Sequence, residues 1–287
     1  MSYTASMATS IVFNQSMRWL NEQYTFSIPV SGSYYSYLNP DINADLSFLN
    51  SAAANLFRES IAAWDELIAP NFVETNDLTN PGNIRISISG SSVLTNNTAT
   101  ARLPPLQPDG IPSNSVGEAG DIFMWSGNDH SLGGATEQER IWNEASHRYT
   151  FLHEIGHALG LIHPFEVSNF DAEYDLQNYT VMSYNRSPGD KQYLQLYLDF
   201  SASDGRFYQQ QQIQPSTPGV IDIAAIQSLY GADLETRKGN TTYSWDNNHI
   251  SIETIYDAGG TDTFDLSAVT RRSIIDLTPG AYSSIAI

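Results

Sequence analysis

Three histidines in the stretch HEIGHALGLIH, namely His153, His157 and His163, are spaced so that one ion can meet all of them. On a helix, residues four apart project from one face about a turn apart, so His153 and His157 can offer two imidazole nitrogens to the same metal. Glu154 follows His153 directly and is displaced around the helix, where it can reach a metal-bound water without being a ligand. Gly160 lets the helix end in a left-handed turn that most residues resist, and the chain can then swing back to present His163 as a third ligand. Three protein ligands leave an open coordination position, which is the arrangement of catalytic zinc sites. Zinc there lowers the pKa of its water to about 7, and Glu154 can take the proton during attack on a carbonyl. Two other readings stay open at this point. One is histidines packed on a buried helix face; the other is a closed structural site, which needs a fourth ligand and has no use for Glu154.

The elements around this stretch must come from a globular chain. At 287 residues, 41% hydrophobic and 11% aromatic, it can bury a core as one large domain or two ordinary ones. The net charge of −19 excludes nucleic acid and anionic membrane surfaces, which require a basic footprint. Cysteine is absent, so disulfides, cysteine ligands and a cysteine nucleophile are excluded. The opening MSYTASMATSIVFNQSMRWL lacks the basic start and unbroken apolar run of a secretory signal, and no apolar stretch is long enough for a membrane span.

Alternation predicts strands over Tyr24–Val30, Asn83–Gly90 and Ala119–Trp125, the second of them half-buried. Helical spacing predicts a helix over residues 47–68, a second through the histidines, and a third in IDIAAIQSLYG that stops at Gly231. Residues 91–118 read mostly as loop, and a polar connector with Gly133 and Gly134 leads into the histidine helix. From Thr236 onward short β-like runs alternate with Gly, Asn and Asp turns. The expected class is α+β, with a larger domain over residues 1–215 and a small β-rich module over 216–287.

HEIGHALGLIHP together with VMSY (Val181–Tyr184) resembles the metzincin metallopeptidases, and within them the serralysins. Pro164 directly after the third histidine is the serralysin variant of the pattern. WLNEQYTFSIP, SIAAWDELI, NIRISISG and AGDIFMW are similar to the serralysin catalytic domain in order and character. The resemblance implies a twisted, mostly parallel sheet with long helices and an active-site helix. It implies zinc on His153, His157 and His163, Glu154 as general base and acid, and Met182 as the methionine turn beneath the ligands. Tyr184 would be an additional zinc ligand that swings away during turnover and supports the oxyanion. The strand NIRISISG or its neighbour would form the sheet edge along which a peptide substrate lies as an added strand. Residues between His163 and Met182, including Phe165 and Tyr174, read as shaping the primed-side pocket, with packing under the cleft as the alternative for most of them. His130, His147 and His249 match no family ligand and read as surface or structural; Asp129 reads as part of a connector.

The tail resembles the serralysin junction with a calcium-binding β-roll. By that resemblance Arg237, Gly239 and Thr241, with Asp257, Gly259 and Asp262, would hold a calcium ion, and Gly260 with Asp262 a second one. Arg237 and the glycines would contribute carbonyl oxygens, which suit a hard cation. Only one partial repeat, Gly260–Phe264, is present where tandem repeats are the family pattern. The whole implies a secreted bacterial zinc endopeptidase without a classical signal peptide, acting on protein or peptide substrates and open to a proteinaceous inhibitor. Two rival readings are a calcium-dependent interaction or adhesion protein with a vestigial zinc domain, and a gluzincin-type hydrolase with a downstream glutamate ligand. The intact Glu154 and Tyr184 speak against the first; Gly160, His163 and VMSY speak against the second.

Overall fold

A run of Ile alternating with Arg and Ser places one strand at the middle of a six-stranded sheet. The computed structural model describes residues 10–12, 18–20, 23–36, 38, 43, 45–90, 99–105, 118–126, 137–186, 197–199, 207–209, 213–248 and 251–286, with backbone alone for 137–143, 197–199 and 207–209. The sheet holds β1 (Gln23–Ser27), β2 (Leu46–Ser47), β3 (Asn71–Glu74), β4 (Ile84–Ser89), β5 (Ala99–Ala101) and β6 (Asp121–Trp125). Its order is β3-β1-β4-β6-β5, with β2 added to β4. The pairings β1–β3, β1–β4 and β4–β6 are parallel, whereas β5 and β2 run antiparallel to their neighbours. Helices α1 (Ser51–Asp65), α2 (Glu137–Ala158) and α3 (Val220–Tyr230) complete the frame. Two small sheets stand apart: antiparallel β7 (Tyr197–Asp199) with β8 (Phe207–Gln209), and parallel β9 (Thr242–Asp246) with β10 (Thr263–Ala268). The class is mixed α/β with a parallel-rich main sheet. No described helix is long and apolar enough to cross a membrane.

Several expected boundaries move, each for a local reason. The helix expected over 47–68 starts only at Ser51, because Asn50 caps it by accepting from Ala53 N at 2.9 Å; Leu46–Ser47 pairs with β4 instead. The first expected strand ends at Ser27, three residues early, and the third begins at Asp121 after a left-handed Gly120. The expected loop over 91–118 contains the short edge strand β5, whose small residues carry little strand signal. β4 is buried along its whole length, not half-buried. Its polar face is covered: Arg85 makes two bonds of 2.8 Å to Asp77 and lies 3.7 Å above the Tyr35 ring. The Tyr35 hydroxyl meets Ser87 Oγ at 2.7 Å. Nor is β4 an edge. It is flanked on both sides, and the edges of the main order are β3 and β5.

One core joins the sheet, the three helices and the Met182 loop. Phe57 of α1 meets Phe151 of α2 edge-on at 5.5 Å, and the Trp64 indole donates to Leu152 O at 3.2 Å. Ile221, Ala225, Ile226 and Leu229 of α3 lie in the same core, so the helix at the head of the C-terminal segment packs with the larger unit.

One buried acid has no such partners. Asp121 is 1% exposed, and neither carboxylate oxygen has a hydrogen-bond partner among the described residues. Burial pushes its carboxyl well above the usual carboxylate range. The folded state therefore holds this proton more tightly than the unfolded chain does, so stability is greatest below about pH 4 and is lost as pH rises. Asp121→Asn keeps the shape and drops the charge. It is expected to raise stability at pH 7 by about 1–3 kcal/mol, which amounts to several degrees in Tm, and to change little at pH 4. Thermal unfolding of both proteins at the two pH values checks this, and a lower Tm for the variant at pH 7 refutes it.

Candidate metal centre

The last two turns of α2 place His153 and His157 on one face, and the residues between and behind them are wholly buried: Leu152, Ile155, Ala158 and Leu159. Gly160 adopts φ 106°, and Leu161 N then reaches back to Gly156 O at 2.9 Å, which reverses the chain. This reversal is locked from three directions. Ile162 N donates to Ile11 O at 2.8 Å, the Trp19 indole to Ala158 O at 3.0 Å, and the Tyr230 hydroxyl of α3 to Leu159 O at 2.8 Å. His163 emerges facing the helix, with its Nε2 3.2 Å from that of His153 and 3.1 Å from that of His157.

The other ring nitrogens of the two helix histidines are committed. His153 Nδ1 lies 2.7 Å from Val181 O and His157 Nδ1 2.8 Å from Leu161 O, so each donates outward and leaves the Nε2 lone pair inward. Burial lowers the basicity of all three, and for His153 and His157 the neighbouring histidines add to it; His157 falls to about 4 and His153 well below its usual range. Three neutral nitrogens with converging lone pairs repel unless a cation lies between them. The donors fit zinc, which takes neutral imidazoles and leaves one position open when three are protein ligands. This is the only cluster of three or more such groups among the described residues. Sequence spacing anticipated all three histidines and the glycine hinge.

Glu154 is buried, its Oε2 has no hydrogen-bond partner among the described residues, and burial pushes its carboxyl up to about 8. Tyr184 is 59% exposed, stacked on His153 at 5.3 Å and 4.8 Å from His163. Burial and then the Glu154 charge push its phenol up, which keeps it a hydrogen-bond donor at neutral pH. Met182 is fully buried beneath the helix; a Cβ at Gly156 would sit 2.6 Å from its sulfur, so the close approach of loop and helix requires glycine there.

Sequence reasoning missed the residue that anchors this loop. Asp222 of α3 is fully buried; its Oδ1 accepts from Thr180 Oγ1 at 2.5 Å, and its Oδ2 from Val181 N and Gly219 N at 2.7 Å each. Thr180 Oγ1 in turn accepts from Met182 N at 3.0 Å. Asp222 thus sets Val181, whose carbonyl holds His153. Burial pushes its carboxyl up to about 7 against the pull of those three donors. A lone acid on the buried face of IDIAAIQSLY was the signal available. Glu166 was also missed: its Oε2 accepts from His163 N at 3.2 Å and faces His163 Nδ1 at 3.3 Å.

Other expectations divide. Phe165 is exposed beside His163, whereas Tyr174 is buried against Tyr179. His147 sits edge-on to Phe151 at 6.2 Å, outside the triad. His130, His249, Asp129, Gly133 and Gly134 lie outside the described residues. The two tail segments meet: Thr241 N donates to Asp262 Oδ1 and Thr261 N to Asn240 Oδ1, each at 2.9 Å. Gly259 N donates to Asp257 Oδ1 at 2.9 Å, and Arg237, Gly259 and Gly260 all have positive φ.

Removing the Asp222 carboxylate leaves two buried N–H groups and the Thr180 hydroxyl unpaired. Asp222→Ala is expected to cost about 2–5 kcal/mol in thermal or denaturant unfolding. Zinc affinity, read by chelator competition, is expected to fall at least about tenfold through the loosened Val181 carbonyl. Asp222→Asn keeps one acceptor and should fall between, and an Ala variant of wild-type stability and affinity removes Asp222 from this role.

Comparison with known proteins agrees with the geometry. Residues 220–286 match the family model described as peptidase M10 serralysin C terminal. A serralysin of Photorhabdus sp. (strain Az29) is 31% identical over 83% of this chain and 48% of its own length. Metalloprotease AprA of Pseudomonas entomophila is 28% identical over 99% of this chain and 58% of its own, and serralysin C of Dickeya chrysanthemi 36% identical over 52% and 33%. The chain therefore spans between a third and three-fifths of these relatives' lengths. The likeness covers both the helix with three converging histidines and the segment that follows it, and over that span the chain is similar to the serralysin-type metallopeptidases.

Proposed function

We propose that this chain carries the catalytic unit of a secreted bacterial zinc endopeptidase with a metzincin-like catalytic domain, and that it hydrolyses peptide bonds of protein or peptide substrates. The observation that carries this reading is the convergence of three Nε2 atoms beside a buried carboxylate oxygen that nothing else uses. His153, His157 and His163 would hold the zinc. Zinc in that place acts as a Lewis acid and makes water a competent nucleophile at neutral pH. Glu154 takes the proton from the attacking water and later gives it to the leaving amine. The Tyr184 phenol donates to the carbonyl oxygen as charge builds there. Among the described residues β5 pairs only with β6, so it suits an extended peptide added as a further strand.

Residues 1–215 would form the catalytic domain, floored by α3 of the segment 216–287, and the rest of that segment a calcium-binding module. The crossing of two turns supports the latter: a Cβ on Gly260 would sit 2.4 Å from Gly239 O, so backbone carbonyls are packed where only glycine fits. Export from the cell goes with this reading.

Glu154→Gln is expected to retain one zinc per chain and to lose peptide hydrolysis by about 10²-fold to 10⁴-fold. Metal analysis beside a casein or peptide assay tests it, and a variant with near wild-type rate would eliminate the mechanism. For the tail, calcium at a hundredfold excess over its Kd is expected to stabilise the protein by about 2.7 kcal/mol. Asp262→Ala should abolish that gain, and identical melting curves with calcium and with chelator count against the module.

A further inference from the structure

The turn after the third histidine carries a ring that the metal site does not need. Phe165 lies flat on His163, with centroids 4.6 Å apart and planes 12° apart, yet it is 55% exposed. Tyr184, 59% exposed, stands 5.4 Å from it at 44°. The two rings form an open V of aromatic surface with a metal-ligating histidine at its apex. The support is rigid: Pro164 is buried, Glu166 N donates to His163 O at 3.1 Å, and Val167 N to Pro164 O at 3.0 Å. A third ring sandwiched between two others needs a separation of about 7 Å, twice a normal carbon contact, so nothing slides between these. A substrate side chain would instead cover their outward faces, where offset and edge-on ring contacts are favourable.

We propose that Phe165 is a specificity-determining residue. It selects peptides with an aromatic or bulky aliphatic side chain at one of the two positions flanking the scissile bond. This rests on the peptidase reading, because only a peptide held at the three histidines brings those side chains to the V. Tyr184 has a separate task at the reacting carbonyl, so Phe165 is the residue whose removal isolates the preference.

The test is a synthetic peptide-library digest by the zinc-loaded full chain, mapped by mass spectrometry, for wild type, Phe165→Ala and Phe165→Leu. It is followed by kcat/KM on two peptides that differ only in Phe or Ala at the selected position. Wild type is expected to favour the Phe peptide by about tenfold or more, Phe165→Ala to bring the ratio to within about twofold, and Phe165→Leu to fall between. An unchanged ratio in Phe165→Ala overturns the inference and leaves the peptidase standing. Absence of hydrolysis of any peptide by zinc-loaded wild type overturns both. If Phe165→Ala does not hold zinc, Phe165→Leu decides by the same ratio.

Discussion

Three neutral imidazoles held with Nε2 atoms 3.1 and 3.2 Å apart repel one another until a cation lies between them, and the protein must carry that cost while metal-free. It does so by tying each helix histidine from behind. The two tethers are backbone carbonyls, Val181 O and Leu161 O, and neither can be adjusted by a rotamer change. One is set by the loop that Asp222 pins, the other by the left-handed turn at Gly160. The position of α3, the packing of Met182 on Gly156 and the anchorage of Trp19 under the helix end are all conditions for those two carbonyls to stand where they do.

Much of this site was readable because its demands are local. The spacing of His153 and His157 is a property of one helix, and Gly160 with His163 a property of the next six residues. Periodicity likewise revealed α1, α3 and the strands β1, β4 and β6, whereas the short parallel strand β3 went unread. The resemblance in VMSY located Met182, which packing against Gly156 then explains.

What was not readable depends on partners far along the chain. Arg85 and Ser87 look like the solvent face of a strand, and only Tyr35 and Asp77, brought in from other segments, make that face interior. β5 is three small residues whose strand character comes from pairing with β6, not from its own composition. Asp222 was overlooked because an acid in an apolar helix carries no address for its partners. Those partners, Thr180 and Val181, lie about forty residues upstream.

α3 begins at Val220, which is also where the match to the C-terminal family model begins. Yet its apolar face lies in the core of the main sheet, and its Asp222 and Tyr230 brace the two halves of the metal centre. A recombination joint placed at that match would give one descendant a catalytic unit without its floor and the other a helix with nothing to cover. The segment that the family model matches as a piece therefore shares its first helix with the core of the main sheet. Any exchange of tails among such proteins would have to cross over after Gly231, where the helix has ended, and would have to keep the backbone pairing of Gly231–Asp233 with Leu67, Ile68 and Ala69.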